Sequence, residues 1–71
     1  MPQFTPQLIQ DMRKALEDVM TRVPVEYTTA AAVRVYLAEC ILRAAAEGHT
    51  NYNELFTAAA DQIQTAISLF T

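Results

Sequence analysis

Apolar residues recur at intervals of three and four along most of the chain, the spacing that places side chains on one face of an α-helix. The first such stretch follows Thr5 and Pro6, a hydroxyl N-cap and a proline at the first helical position. It predicts a helix over residues 6–22, because Pro24 disfavours helical backbone at the residue before it. The apolar stripe of this helix consists of Leu8, Ile9, Met12, Leu16, Val19, Met20 and Val23.

Charged residues occupy the opposite face of this first predicted helix. Oppositely charged side chains stand four residues apart in three pairs, which are Arg13 with Glu17, Lys14 with Asp18, and Asp18 with Arg22. Side chains at this separation are neighbours on a helix surface, so we expect salt bridges worth about 0.2–0.5 kcal/mol each.

The second segment predicts a helix over residues 29–47, with Thr28 or Thr29 as its N-cap and Gly48 as the residue that ends it. One side of this helix carries Ala30, Val33, Leu37, Ile41, Ala44 and Ala45, and the apolar surface extends around it through Ala31, Val35, Ala38 and Leu42. A helix that is apolar over most of its circumference usually contacts more than one neighbour. We therefore expect this helix to be central.

The third segment predicts a helix over residues 52–70, with Asn51 as N-cap and Glu54 in the position of a capping box. No segment alternates between apolar and polar residues with the period of a strand. Three amphipathic helices joined by short loops favour an antiparallel bundle. The sequence thus predicts an all-α, antiparallel three-helix bundle that forms a single domain over residues 1–71.

The composition and charge of the chain exclude several classes of protein. With 52% hydrophobic residues and one glycine among 71 residues, the chain is apolar enough to fold. A net charge of −3 is the wrong sign for binding phosphate backbones, so we expect no nucleic-acid partner. The pattern predicts neither a secretory leader nor an apolar stretch of membrane-spanning length, and the lone Cys40 cannot form an intramolecular disulfide. We expect a cytoplasmic protein that does not interact with membranes.

Residues capable of chemistry are few. His49 is the single histidine, and no second histidine or nearby cysteine completes a metal-ligand set around it. Cys40 lies in the middle of a predicted helix with no base adjacent in sequence, which is typical of a packed thiol. One glycine cannot build a phosphate-binding loop. We expect no enzymatic activity, no metal and no cofactor.

The expected role is association, either with a second copy of the chain or with a helix of a partner protein. So short a chain has difficulty covering its apolar stripes alone, which favours a homodimer with the second helix near the interface. Arg34 stands among apolar neighbours without a carboxylate three or four residues away, so it either extends to solvent or meets an acid from elsewhere. The candidate interface residues are Arg34, Tyr36, Leu37 and Ile41.

Two alternatives remain at this point. A regulator of the helix-turn-helix type fits the order of the second and third helices, but no Lys or Arg follows Arg43. An enzyme would need an active site shared across a dimer, built from Arg34, Tyr36, His49 and a carboxylate.

Overall fold

The computed structural model describes residues 4–69 and forms an all-α three-helix bundle, as the sequence predicts. Its helices are α1 (Pro6–Met20), α2 (Ala31–Ala46), α3 (Tyr52–Ala60) and α4 (Ile63–Ser68), with a short 3-10 turn at Val25–Tyr27. Helix α1 packs against α2 and α3, and α2 also packs against α3 and α4. Together α3 and α4 make up the third member of the bundle.

The N-terminus of α1 is capped as predicted. The Thr5 hydroxyl accepts a hydrogen bond from the backbone N–H of Leu8 at 3.1 Å, and Pro6 takes the first helical position. The helix ends at Met20, two residues before the predicted end. Of the predicted apolar stripe, Ile9 is exposed instead of buried.

The N-terminus of α2 differs from the prediction. The helix begins after Ala30, which has no side-chain oxygen and forms no capping hydrogen bond. The Thr28 hydroxyl donates to the carbonyl of Val25 at 2.9 Å and closes the 3-10 turn. Neither Thr28 nor Thr29 caps the helix, because both precede the N-cap residue Ala30.

The C-terminus of α2 is closed by Gly48, as predicted. Gly48 has a φ of 104°, a backbone conformation that residues with a Cβ rarely adopt. Its N–H donates to Ala45 at 3.1 Å, and the N–H of His49 donates to Ala44 at 3.0 Å. These two bonds form a Schellman motif, which satisfies carbonyls that the helix end would leave unpaired.

The predicted third helix is interrupted. Asn51 caps α3 as expected by accepting from the N–H of Glu54 at 2.9 Å, but α3 ends at Ala60 and α4 starts at Ile63. At the break, the hydroxyl of Tyr36 on α2 donates to the side-chain carbonyl of Gln62 at 3.3 Å. The predicted end at Phe70 lies outside the described residues.

The core is apolar throughout. Among residues 4–69, no polar or charged side chain is buried. The buried side chains come from every helix and from the loop after α1; they are Leu8, Ala15, Val19, Met20, Val23, Val33, Leu37, Ile41, Ala44, Ala45, Leu55, Ala59 and Ala66. Alanines fill many of these positions, which lets the helix backbones approach closely.

None of the three predicted salt bridges of α1 is formed within residues 4–69, and Lys14, Asp18 and Arg22 contact aromatic residues of α3 instead. Asp18 accepts a hydrogen bond from the Tyr52 hydroxyl. The Arg22 guanidinium lies 4.9 Å from the centre of the Phe56 ring, and the Lys14 ammonium lies 5.8 Å from the centre of the Tyr52 ring. Cations over aromatic faces are attracted by the ring quadrupole, so this charged side of α1 contributes to packing against α3.

Candidate functional site

One side of α2 faces away from the bundle although it is apolar. We call Ala31, Val35, Ala38 and Leu42 the α2 outward face; the Val35 side chain is 56% exposed and that of Leu42 is 47% exposed. Ala31 is exposed and Ala38 is half-buried. The four residues are separated by four, three and four positions, so they form one continuous stripe along the helix.

A groove between α1 and α2 runs beside this stripe. It encloses about 330 Å³ and shares Ala38 and Leu42 with the α2 outward face. Met12 and Leu16 of α1 supply the rest of its apolar surface together with Ile41. Charged side chains complete the lining of this α1–α2 groove: Arg13, Glu17 and Arg34.

Two of the candidate interface residues lie on different sides of α2. Arg34 is exposed at the α1–α2 groove, and it forms no ion pair within residues 4–69. Tyr36 is half-buried on the other side of the helix, where it bonds to Gln62. Arg34 is therefore accessible to solvent, whereas Tyr36 joins α2 to the α3–α4 break.

The other two candidates are core residues. Leu37 is 0% exposed and Ile41 is 2% exposed, so both side chains are already covered within one copy of the chain. They are not accessible to a partner while the bundle is folded. The exposed residues Val35 and Leu42, which the sequence assigned only to an extension of the buried side, replace them as the accessible apolar residues of α2.

A second, more polar cleft lies on the opposite side of α2, facing α3 and α4. Its volume is about 280 Å³, and it is lined by Tyr36, Glu39, Cys40, Arg43, Ala44, Glu47, His49, Ala58 and Gln62. This cleft contains Tyr36, His49 and the carboxylates of Glu39 and Glu47, which are three of the four kinds of group that an active site was expected to need. Arg34 is absent from the cleft because it lies on the α1 side of α2.

The thiol of this cleft is not activated by its surroundings. Burial raises the pKa of the Cys40 thiol; the nearby Arg43 guanidinium partly lowers this pKa, and the Glu39 carboxylate raises it further. A thiol with a raised pKa is protonated at neutral pH and is a poor nucleophile. His49 directs its Nδ1 towards Glu54, 3.5 Å from the carboxylate Oε2, on the exposed surface.

Residues 4–69 contain no cluster of three His, Cys, Asp or Glu side chains that could hold a metal ion. Over the same range, none of the helices is both long enough and apolar enough to cross a bilayer. The accessible apolar surface of α2 and its adjoining groove form the candidate site.

Comparison with known proteins gives no assignment for this surface: no protein-family model, curated protein or solved structure matches the chain.

Proposed function

We propose that this protein is a small, non-enzymatic self-association module, in which the α2 outward face packs against the same face of a second copy. The observation that carries the proposal is the exposure of Val35 and Leu42 on one stripe, in a bundle where no polar or charged side chain of residues 4–69 is buried. Covering both side chains removes apolar surface from water, which is the main favourable contribution to most protein association.

The dimensions of this surface fit a helix. From Ala31 to Leu42 the stripe covers eleven residue steps, which at 1.5 Å per residue is about 16 Å. A stripe of this length with alanines at two of four positions allows close approach of a second helix, but buries little area. We therefore propose a reversible dimer of roughly micromolar affinity, in the range of small, transient interfaces.

Two further aspects of the proposal rest on the sequence. The single Cys40 supports a reducing compartment such as the cytoplasm, because small secreted domains usually depend on disulfides. The helix-turn-helix alternative is weaker, because α3 exposes Asn53, Glu54 and Thr57 and carries no cation that could contact phosphate.

The test is sedimentation equilibrium of the full chain at concentrations from about 1 to 200 µM, a range that brackets the proposed affinity. We expect the wild type to pass from monomer to dimer, and Val35→Glu to weaken the dimer at least ten-fold because it places a charge in the seam. Val25→Glu is the matched control: it makes the same change at a residue that is 82% exposed and outside α2, and should leave dimerisation unchanged.

A wild type that remains monomeric over the whole range refutes the proposal. So does a dimer that Val35→Glu leaves intact while circular dichroism shows that this variant retains the helix content of the wild type.

A further inference from the structure

The α2 outward face has the spacing of a two-helix seam. Intervals of four, three and four residues are those of the a and d positions in a heptad, the positions that pack between two supercoiled helices. In this register Val35 and Leu42 occupy a positions, and Ala31 and Ala38 occupy d positions. The register also assigns every neighbouring residue of α2 to a defined place beside the seam.

Two oppositely charged residues border the seam in this register. Arg34 directly precedes Val35 and takes a g position, and Glu39 directly follows Ala38 and takes an e position. Both side chains are exposed, and neither forms an ion pair within residues 4–69. Each is therefore available to a charge on another molecule.

The separation of these two residues distinguishes the two ways of pairing the helices. In a parallel pair, a g residue faces the e residue five positions later on the other helix, and Arg34 and Glu39 are five positions apart. In an antiparallel pair, g residues face g residues and e residues face e residues. Arg34 then faces the other g residue, the buried Ile41, and Glu39 faces the other e residue, Ala32. Opposite charges meet only in the parallel arrangement.

We infer that α2 pairs in parallel with α2 of a second copy around a two-fold axis along the helices, with Arg34 of each copy bound to Glu39 of the other. This inference rests on the proposed self-association and adds its orientation and its specificity residues. The two-fold axis generates the ion pair twice, once on each side of the seam. Arg34, which lies at the α1–α2 groove, thus reaches a negative charge with which no residue of 4–69 in its own chain pairs it.

Charge exchange between copies tests the inference. Arg34→Glu alone places two carboxylates together at each site, and Glu39→Arg alone places two guanidinium groups together, so each homodimer should weaken about ten-fold. An equimolar mixture of the two variants restores opposite charges at both sites. We expect the mixture to form a heterodimer with an affinity near that of the wild type, measured by sedimentation equilibrium.

Disulfide trapping shows whether the two α2 helices pair in parallel or antiparallel. In a Cys40→Ala background, Ala31→Cys should cross-link to itself, because equivalent d residues face each other in a parallel pair. An antiparallel pair instead places Ala31 opposite Leu42, and predicts a cross-link when Ala31→Cys and Leu42→Cys variants are mixed but none for Ala31→Cys alone.

The outcomes separate the inference from the proposed function. If Val35→Glu abolishes the dimer but the charge mixture fails to associate, or the Ala31→Cys variant cross-links only to Leu42→Cys, the parallel orientation is overturned and self-association stands. If the wild type does not dimerise, both are overturned.

Discussion

The hydroxyl of Tyr52 donates a hydrogen bond to the carboxylate of Asp18, joining α3 to α1 across 34 residues of sequence. This bond raises the pKa of Tyr52 above its ordinary value of 10.0, with smaller contributions from burial and from the negative charge of Asp18, and Arg22 opposes the shift. The neutral phenol is therefore the form that the folded state favours.

A consequence of this relationship is a loss of stability at high pH. Because the folded-state pKa lies above the unfolded value, the stabilisation is complete below about pH 10 and disappears as the pH rises through the raised pKa. We expect the free energy of unfolding to fall between about pH 8 and pH 11, and to fall less in Tyr52→Phe, which has no phenol to ionise. Urea titrations of both proteins at the two pH values measure the difference; equal pH dependence in the two would contradict the prediction.

Leu37 and Leu42 provide a matched pair on one helix, with one side chain in the core and the other on the outward face. We expect Leu37→Ala to lower the free energy of unfolding by about 2–5 kcal/mol, because it opens a cavity in a core without polar groups. Leu42→Ala should change the stability of the monomer by less than about 0.5 kcal/mol. Urea unfolding at concentrations below the dimer dissociation constant compares them, and similar losses would show that Leu42 is also a core residue.

We expect substitution of Gly48 to lower the stability of the fold because of its backbone conformation, and not because a side chain would clash with its neighbours. A Cβ placed on it would meet nothing within 4 Å, but its φ of 104° is strained for any residue with a side chain. Gly48→Ala should therefore cost about 1–2 kcal/mol of stability. Gly48→Asn should cost less, since asparagine tolerates positive φ better. Thermal unfolding of the two variants tests this order, and an unchanged stability for Gly48→Ala would contradict it.

The N-terminus of α2 is open to improvement because Ala30 cannot cap it. Ala30→Ser supplies a hydroxyl for one of the unpaired N–H groups, and we expect a gain of about 0.5–1 kcal/mol. Thr29→Ala is the control and should leave stability within about 0.5 kcal/mol, because Thr29 does not cap the helix. The reverse result, a loss for Thr29→Ala and no gain for Ala30→Ser, would place the cap at Thr29.

The sequence predicts those helix ends that depend on interactions between residues close together in the chain. The Thr5 and Asn51 caps and the left-handed Gly48 each involve residues within a few positions of one another, so spacing alone identifies them. The break at Asp61 and Gln62 contains no glycine or proline from which it could be predicted. The break coincides with the hydrogen bond between Gln62 and Tyr36. These residues are 26 positions apart, so the local sequence pattern does not predict their contact.

The candidate surface was predicted only in part for a related reason. On a helix that is apolar nearly all around, periodicity identifies the most apolar side but does not show how much of the remaining surface the neighbouring helices cover. The sequence placed Leu37 on that side and Val35 on its extension, and the packing of α1 and α3 buries Leu37 and leaves Val35 exposed. The 4-3-4 spacing of the outward face was nevertheless present in the sequence, as was the isolation of Arg34 from nearby carboxylates.

The division of the third helical segment affects how the fold opens. A helix of six residues, such as α4, is far below the length at which helices persist in water by themselves. Its hydrogen bonds therefore depend on its packing against α2, through the buried Ala66 and the Tyr36–Gln62 bond at its start. When those contacts fluctuate, α4 can unravel while α1, α2 and α3 stay assembled, so its amide protons should exchange with solvent earlier than those of the other helices.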